Sequence, residues 1–153
     1  MNHAFEVIKR LRGKTLGTAE SCTGGGIGAA LTGVPGSSAV FKGGVISYTN
    51  EIKSSLLNIS PDILNEYGAV SAEVAARMVS GVRKLLNVDI AVSVTGLAGP
   101  DGDEFGNPVG TVYIGFEDHQ RTVVQDYLFA GDREAVRAQT VDAALNLILH
   151  FCE

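Results

Sequence analysis

The residues best suited to chemistry lie in the segment TAESCTGG, from Thr18 to Gly25. It places the hydroxyl of Ser21 and the thiol of Cys22 directly before a run of glycines. Backbone N–H groups at the start of a helix point outward and carry partial positive charge. Beside Ser21 they would stabilise an oxyanion during attack on an amide, and the glycines would let a substrate approach the backbone. The alternative interpretation is that Ser21 or Thr23 only caps a helix.

A second segment, GGVISYTNEIK from Gly43 to Lys53, offers a base. Tyr48 ends a predicted strand, and Lys53 falls in the first turns of the next predicted helix. A helix N-terminus and burial both disfavour the ammonium form, so Lys53 becomes a candidate base near neutral pH. Ser, Lys and Tyr then form a set that activates a hydroxyl. The alternative is that Lys53 is a solvated helix residue and Tyr48 a strand-end aromatic.

A third segment, SVTGLAGPDG from Ser93 to Gly102, opens a glycine-rich loop that we expect to run over residues 95–108. Ligands of open α/β sheets bind beyond the carboxyl ends of strands, and free N–H groups there favour a phosphate. Arg133 and Arg137 are further phosphate candidates, or they are solvated helix charges. The predicted substrate-binding residues are Cys22, Thr23, Gly24, Gly25, Thr95, Gly96, Ala98, Gly99, Arg133 and Arg137.

Other familiar motifs fail. Gly13-Lys14-Thr15 resembles the end of a phosphate-binding P-loop. That motif requires a glycine five residues before its last glycine, where this chain has Ile8, and it follows a strand, whereas this triplet precedes one. The glycines after Thr23 resemble a dinucleotide-binding motif. That fold needs an acidic residue at the end of the next strand, and the next predicted strand here ends without one. His3, His119 and His150 all lie outside the glycine-rich loops, so we predict neither a Ser-His-Asp triad nor a zinc site.

Composition bounds the class of protein. The chain has 153 residues, 45% of them hydrophobic and 19% charged, and a net charge of −5. We therefore expect a single domain over residues 1–153, with no nucleic-acid surface. Cys22 and Cys152 are read as free thiols. No secretory signal and no run of 18 apolar residues is visible, so we expect a soluble cytoplasmic protein that contacts no membrane.

Patterning predicts a three-layer α/β/α sandwich with a mixed central sheet. Predicted helices cover residues 4–12, 50–57 and 71–86, and two further helices begin at Ser60 and Asp132. Residues 21–31 are predicted to form a turn that opens into a helix. Predicted strands cover residues 15–19, 40–48, 88–94, 109–116 and 122–129. Gly43 and Gly44 suggest a bulge or a close backbone approach. Val74, Met78, Val82 and Leu85 are predicted to form the apolar face of the helix from Ser71.

Taken together, the three loops resemble the C-terminal domain family of the competence/damage-inducible protein CinA. The resemblance extends in order along nearly the whole chain, because further matching segments are VPGSSAVFKGGVISYTNEIKSSLL, YGAVSAEVA, NPVGTVYIGF and GDREAVRAQTVDAAL. One segment departs from it, because many relatives carry a Gly-Gly-Ser-Glu-Glu-Lys-type sequence where this chain reads GDEFGN over residues 102–107. The long N-terminal domain of fused members is absent from this sequence.

The resemblance implies an amidohydrolase that converts nicotinamide mononucleotide to nicotinate mononucleotide and ammonia. It also implies an α/β/α fold, no required metal or cofactor, a homo-oligomer with a dimer favoured, and a catalytic set matching Ser21, Tyr48 and Lys53. In the mechanism we expect, Lys53, helped by Tyr48, takes the Ser21 proton, and N–H groups from Cys22 to Gly24 hold the oxyanion. Two alternatives stay open. Cys22 is the nucleophile in one, and the chain is a catalytically silent nucleotide-binding module in the other.

Overall fold

Five strands form one mixed sheet in the computed structural model, which describes residues 3–153. The strands are β1 (Leu16–Glu20), β2 (Phe41–Ile46), β3 (Ile90–Gly96), β4 (Thr111–Glu117) and β5 (Thr122–Leu128). Their order across the sheet is β2-β1-β3-β4-β5. β1 runs parallel to both β2 and β3, whereas β4 runs antiparallel to β3 and β5. The predicted mixed sheet is therefore confirmed, with strand bounds that differ by one or two residues.

Within residues 3–153, six α-helices cover the two faces of the sheet. They are α1 (His3–Arg10), α2 (Gly26–Thr32), α3 (Asn50–Leu57), α4 (Pro61–Tyr67), α5 (Ala72–Leu86) and α6 (Arg133–Phe151). One apolar cluster joins α1, α2 and α6 to the sheet, and a second joins α3, α4 and α5 to it. The predicted three-layer α/β/α sandwich is thus confirmed. A short 3₁₀ helix, Ser37–Ala39, precedes β2.

Side-chain caps start four of the helices, and each of these starts agrees with the predicted one to within one residue. The side chains of Ser60, Ser71 and Asp132 accept hydrogen bonds from backbone N–H groups in the first turns of α4, α5 and α6. Thr49 caps α3 in the same way. Each cap satisfies a backbone donor that the helix itself leaves unpaired.

The apolar face of α5 is rotated from the predicted one. Leu85 is 52% exposed, which makes its assignment to the core wrong. Ala75 and Val79 are fully buried instead, beside the correctly predicted row that begins at Val74. The buried stripe thus combines the row of Val74, Met78 and Val82 with the row of Ala75 and Val79. At the end of α5 this stripe includes Leu86, which packs partly against the core, and not Leu85.

Strand register brings the ends of β1, β2 and β3 together. Glu20, the last residue of β1, pairs with Ile46 of β2 and Val94 of β3. The predicted close approach at the glycine pair is confirmed, because a Cβ at Gly44 would lie 2.3 Å from Thr18 Oγ1. The three loops singled out in the sequence therefore leave the sheet at one edge. Within residues 3–153, the helices are too short or too polar to cross a bilayer.

Candidate active site

A cleft of about 360 Å³ opens where the loops after β1, β2 and β3 meet. Its volume falls in the range of small-molecule sites, and its position beyond the carboxyl ends of parallel strands is the usual one for ligands of this architecture. Nine of the predicted site residues line it: Ser21, Cys22, Tyr48, Lys53, Thr95, Gly96, Ala98, Gly99 and Arg133. Ala69 and Val70, which the sequence did not single out, line it too, as does Asn50 at the start of α3.

The central contact of the cleft joins the predicted nucleophile to the predicted base. Lys53 Nζ lies 3.1 Å from Ser21 Oγ, although 32 residues separate them in the sequence. Lys53 is only 1% exposed, and its amine also donates to the backbone oxygens of Ser47 at 2.8 Å and Tyr48 at 3.4 Å. Thr49 caps α3, which begins at the next residue, Asn50. This start places Lys53 at the end of the first turn, facing the loop after β1.

Burial gives Lys53 the properties of a base. Desolvation lowers its pKa from 10.5 to about 8, while the negative charge of an ionised Cys22 would act in the opposite direction. Among the ion pairs of residues 3–153, none includes Lys53, so a carboxylate does not restore the ammonium form. The ammonium form donates to Ser21 Oγ and to the two carbonyls. When it loses a proton, its two N–H groups suffice for the carbonyls, and its lone pair is left to accept the Ser21 hydroxyl.

Burial also disfavours the charged form of Cys22. Burial raises the pKa of its thiol from 9.0 to about 11, although a hydrogen bond from its own backbone and the charges of Lys53 and Arg137 act to lower it. A thiol is activated when it lies at a helix N-terminus. Cys22 does not have this placement, because α2 begins only at Gly26 and its N-terminus is occupied by another group.

The group that occupies the start of α2 is the buried carboxylate of Glu20. Its oxygens accept hydrogen bonds from Thr23 Oγ1 at 2.6 Å and from the backbone N–H groups of Ile27 at 2.9 Å and Gly28 at 3.0 Å. A carboxylate at this position stabilises a helix through its dipole. Sequence reasoning missed this role. The available signal was an acidic residue that ends a buried strand just before a helix.

Four predicted substrate-binding residues do not line the cleft, and three of them, Thr23, Gly24 and Gly25, follow Ser21 in the same loop. The hydroxyl of Thr23 is used by Glu20. Gly24 and Gly25 adopt φ values of +60° and +101°, which allow the tight turn after Ser21. A Cβ at Gly24 would lie 3.2 Å from Arg137 Nη2, and one at Gly25 would lie 3.2 Å from Ile46 Cδ1. These glycines shape the loop that carries Ser21, and they lie outside the lining of the cleft.

The two arginines of α6 differ in position. Arg133 lines the cleft, and its guanidinium donates to Gly99 O at 2.7 Å and to Tyr48 Oη at 3.1 Å. Arg137 does not line the cleft. Its Nε donates to Cys22 O at 3.0 Å and its Nη2 to Thr23 O at 3.2 Å. Arg133 therefore remains a candidate for an anionic substrate group, whereas Arg137 binds the loop that carries Ser21.

Tyr48 touches Lys53 through its backbone, not through its phenol. The side chain is 57% exposed, and its hydroxyl contacts Arg133. The contact to Lys53 is made by the Tyr48 carbonyl. The predicted help from the phenol to Lys53 thus has no hydrogen bond to support it, because Tyr48 lies two residues beyond the end of β2 and its hydroxyl contacts Arg133.

The loop after β3 forms one wall of the cleft through its backbone. Thr95 uses its hydroxyl to bind Ala69 O at 2.7 Å, and Leu97 N–H donates to Thr111 O at 2.9 Å. Further along, the carboxylate of Asp103 accepts from the backbone N–H groups of Phe105 and Asn107. The segment that departs from many relatives therefore stabilises its own turn. Within the described residues, no three His, Cys, Asp or Glu side chains are grouped to hold a metal ion.

Comparison with known proteins gives a consistent result. The sequence model of the CinA C-terminal domain matches residues 2–152. A CinA-like protein of Geobacter sp. strain M21 is 47% identical over 151 residues, which are 99% of this chain and 36% of that protein. A putative competence-damage inducible protein of Halothermothrix orenii is 49% identical over 141 residues, which are 92% of this chain and 34% of that protein. The chain spans about a third of the length of these relatives.

Solved structures of similar proteins share the fold. A CinA superfamily protein of Escherichia coli has a TM-score of 0.96 and 34% identity, with 98% of this chain and 88% of that chain covered. A CinA superfamily protein of Klebsiella pneumoniae has a TM-score of 0.93 and 36% identity, with 97% and 95% covered. The similarity therefore extends through the sheet, both helical layers and the loops that form the cleft.

Proposed function

The chain belongs to the CinA C-terminal domain family, and from this premise we propose that it hydrolyses the carboxamide of nicotinamide mononucleotide to nicotinate mononucleotide and ammonia. The observation that carries the proposal is the buried contact between Ser21 Oγ and Lys53 Nζ at 3.1 Å. A buried lysine without a carboxylate partner is destabilising, so its position beside a hydroxyl is best explained by chemistry. The resemblance to the family supplies the substrate, and the site supplies the reaction type.

In the first half of the reaction, the Ser21 oxygen forms a bond to the carboxamide carbon while its proton passes to Lys53 Nζ. The resulting oxyanion needs nearby hydrogen-bond donors. Gly24 N–H already donates to Ser21 O and Ser21 N–H to Val94 O, so these two are not available. Within residues 3–153, the N–H groups of Cys22 and Thr23 donate to no carbonyl, so we assign these two groups as the donors to the oxyanion.

In the second half, the C–N bond breaks and the Lys53 ammonium returns its proton to the leaving nitrogen, which departs as ammonia. Water then adds to the acyl carbon while Lys53 takes its proton. The C–O bond to Ser21 breaks, and Ser21 is reprotonated. One lysine thus acts alternately as base and acid, which requires a pKa near the working pH. The lowered pKa of Lys53 meets this requirement.

The substrate phosphate is assigned to the mouth of the cleft, where Arg133 lies with the Tyr48 hydroxyl. A planar guanidinium suits a phosphate because it donates two parallel hydrogen bonds. The N-terminus of α2, the other obvious anion site, is already filled by the carboxylate of Glu20. Among the described residues that line the cleft, Arg133 is therefore the exposed cation that we assign to the phosphate.

The competing functions have weaker support. The raised pKa of Cys22 leaves its thiol protonated near neutral pH, which argues against it as the nucleophile. A silent nucleotide-binding module would need only the loops and Arg133, and it would not explain a desolvated lysine against Ser21.

Ammonia release from nicotinamide mononucleotide by the purified protein tests the proposal. We expect wild type and Ser38→Ala, a control at an exposed serine, to release ammonia, and Ser21→Ala to release none while retaining its far-UV circular dichroism spectrum. Nicotinamide riboside, which lacks the phosphate, should be a poorer substrate. If calorimetry shows binding of the nucleotide but no ammonia appears, the chain is a binding module and the proposed function is wrong.

A further inference from the structure

Arg137 reaches from α6 to the loop that carries Ser21, and its two hydrogen bonds end on consecutive carbonyls, those of Cys22 and Thr23. We propose that Arg137 is a positioning residue, which fixes the orientation of the two backbone N–H groups that would stabilise the oxyanion. The inference rests on the proposed serine chemistry. It concerns how the loop is held, which neither the cleft nor the family resemblance assigns.

The first connection runs through a single peptide unit. Arg137 Nε donates to Cys22 O at 3.0 Å. The carbonyl of Cys22 and the N–H of Thr23 belong to the same planar trans peptide, so they point in opposite directions. A guanidinium that holds the Cys22 oxygen on one side therefore directs the Thr23 N–H to the other side.

The second connection runs through two peptide units. Arg137 Nη2 donates to Thr23 O at 3.2 Å, and the N–H of that peptide, which belongs to Gly24, donates to Ser21 O at 3.1 Å. The Ser21 carbonyl in turn shares its peptide with the N–H of Cys22. Both donors left without a carbonyl acceptor, those of Cys22 and Thr23, are thus joined to one guanidinium. Successive hydrogen bonds also polarise each other, which strengthens the last donor in each chain.

The loop is held from its other side by Glu20. The carboxylate binds the Thr23 hydroxyl and the first N–H groups of α2, while the guanidinium binds the loop carbonyls. Gly24 adopts a φ of +60° in this loop, and a Cβ there would lie 3.2 Å from Arg137 Nη2. A side chain at this position would therefore strain the turn and crowd the guanidinium by a few tenths of an ångström.

The folding of α6 depends little on this side chain. α6 is anchored by the buried residues Val136, Thr140 and Ala144, whereas Arg137 belongs to the exposed residues of the helix. A substitution at position 137 should then loosen the loop without unfolding the domain, so its effect on rate is separable from an effect on stability.

The test compares Arg137→Gln and Arg137→Lys with Arg77→Gln, a control at an exposed arginine of α5. With nicotinamide mononucleotide, we expect Arg137→Gln to lower kcat about 10- to 100-fold with KM nearly unchanged, because a displacement near 1 Å costs about that much. Lysine cannot donate in the same fork, so Arg137→Lys should recover little. Added guanidinium ion at millimolar concentration should partly restore Arg137→Ala.

A second measurement keeps the inference independent of the substrate. A fluorophosphonate probe reacts with an activated serine, since Ser21 Oγ forms a bond to phosphorus, fluoride leaves, and the serine proton passes to Lys53. The reaction needs the same oxyanion donors but carries no nucleotide phosphate. Labelling by Arg137→Gln should therefore be slowed about as much as deamidation is. If the wild type is labelled but releases no ammonia from the nucleotide, the proposed substrate is wrong and the labelling rates still test Arg137.

Two results would overturn the inference alone. In one, Arg137→Gln raises KM but leaves kcat and the labelling rate unchanged, which would make Arg137 a contact to the substrate phosphate. In the other, all three quantities match those of Arg77→Gln, which would show that the loop holds its geometry without the guanidinium. A wild-type protein that neither reacts with the probe nor deamidates the nucleotide would overturn both this inference and the proposed function.

Discussion

The pH dependence of activity should follow the titration of Lys53. With a pKa of about 8, its neutral form makes up about 9% of the protein at pH 7 and about 91% at pH 9. Because only the neutral amine takes the Ser21 proton, kcat/KM should rise about tenfold from pH 7 to pH 9 and level off above pH 9. The measurement is initial-rate ammonia release at low substrate concentration across this range.

Substitution of Lys53 sharpens the test. Lys53→Arg keeps a positive charge but does not release a proton at any workable pH, so it should be nearly as inactive as Lys53→Met. Lys42→Arg is the matched control, because Lys42 lies on the exposed face of β2 and binds only Ser38 O. Near-normal turnover by Lys53→Arg, or a flat pH profile for the wild type, would refute the assignment of Lys53 as the base.

The same lowered pKa has a consequence for stability. Unfolding exposes Lys53 and returns its pKa to about 10.5, so the unfolded chain binds more protons between pH 8 and pH 10.5. The free energy of unfolding of the wild type should therefore rise with pH in this window, relative to that of Lys53→Met. A pKa lower by about 2.5 in the folded protein corresponds to about 3 kcal/mol in all, of which about 2 kcal/mol falls between pH 7.5 and pH 10. Urea unfolding of both proteins at these two pH values measures the change, and a difference that falls with pH would contradict the reasoning.

Two further predictions concern the cleft, and one concerns its support. Cys22→Ala should retain most activity, since its thiol is protonated near neutral pH, and loss of ammonia release would return Cys22 to the role of nucleophile. Tyr48→Phe should raise KM by about two- to tenfold with kcat little changed, because its hydroxyl binds Arg133 and not Lys53; a large fall in kcat would oppose this. Glu20→Gln should lower the free energy of unfolding in urea by about 3 kcal/mol, whereas Glu51→Gln on the exposed side of α3 should not, and equal stability of the two would count against the capping role.

The sequence by itself determined the elements and their order. Hydrophobic periodicity and capping residues are local signals, so the starts of α4, α5 and α6 could be read from Ser60, Ser71 and Asp132. The alternation of helices and strands fixed the α/β/α class, and motif residues that follow strands pointed to one edge of the sheet. Ser21 and Lys53 were identifiable because both lie in loops or first turns rich in glycine and polar residues, where packing does not explain the residue type.

Only the tertiary structure decided which atoms face each other. Arg133 and Arg137 are four residues apart on one helix and were equivalent in the sequence, yet one lines the cleft and the other binds carbonyls more than a hundred residues away. The role of Glu20 depends on how α2 turns back over the end of β1, and the phenol of Tyr48 is directed by its place at the mouth of the cleft. These contacts depend on the packing angles of whole helices against the sheet. A sequence pattern records which face of an element is buried, but not the partner that a polar side chain meets across the fold.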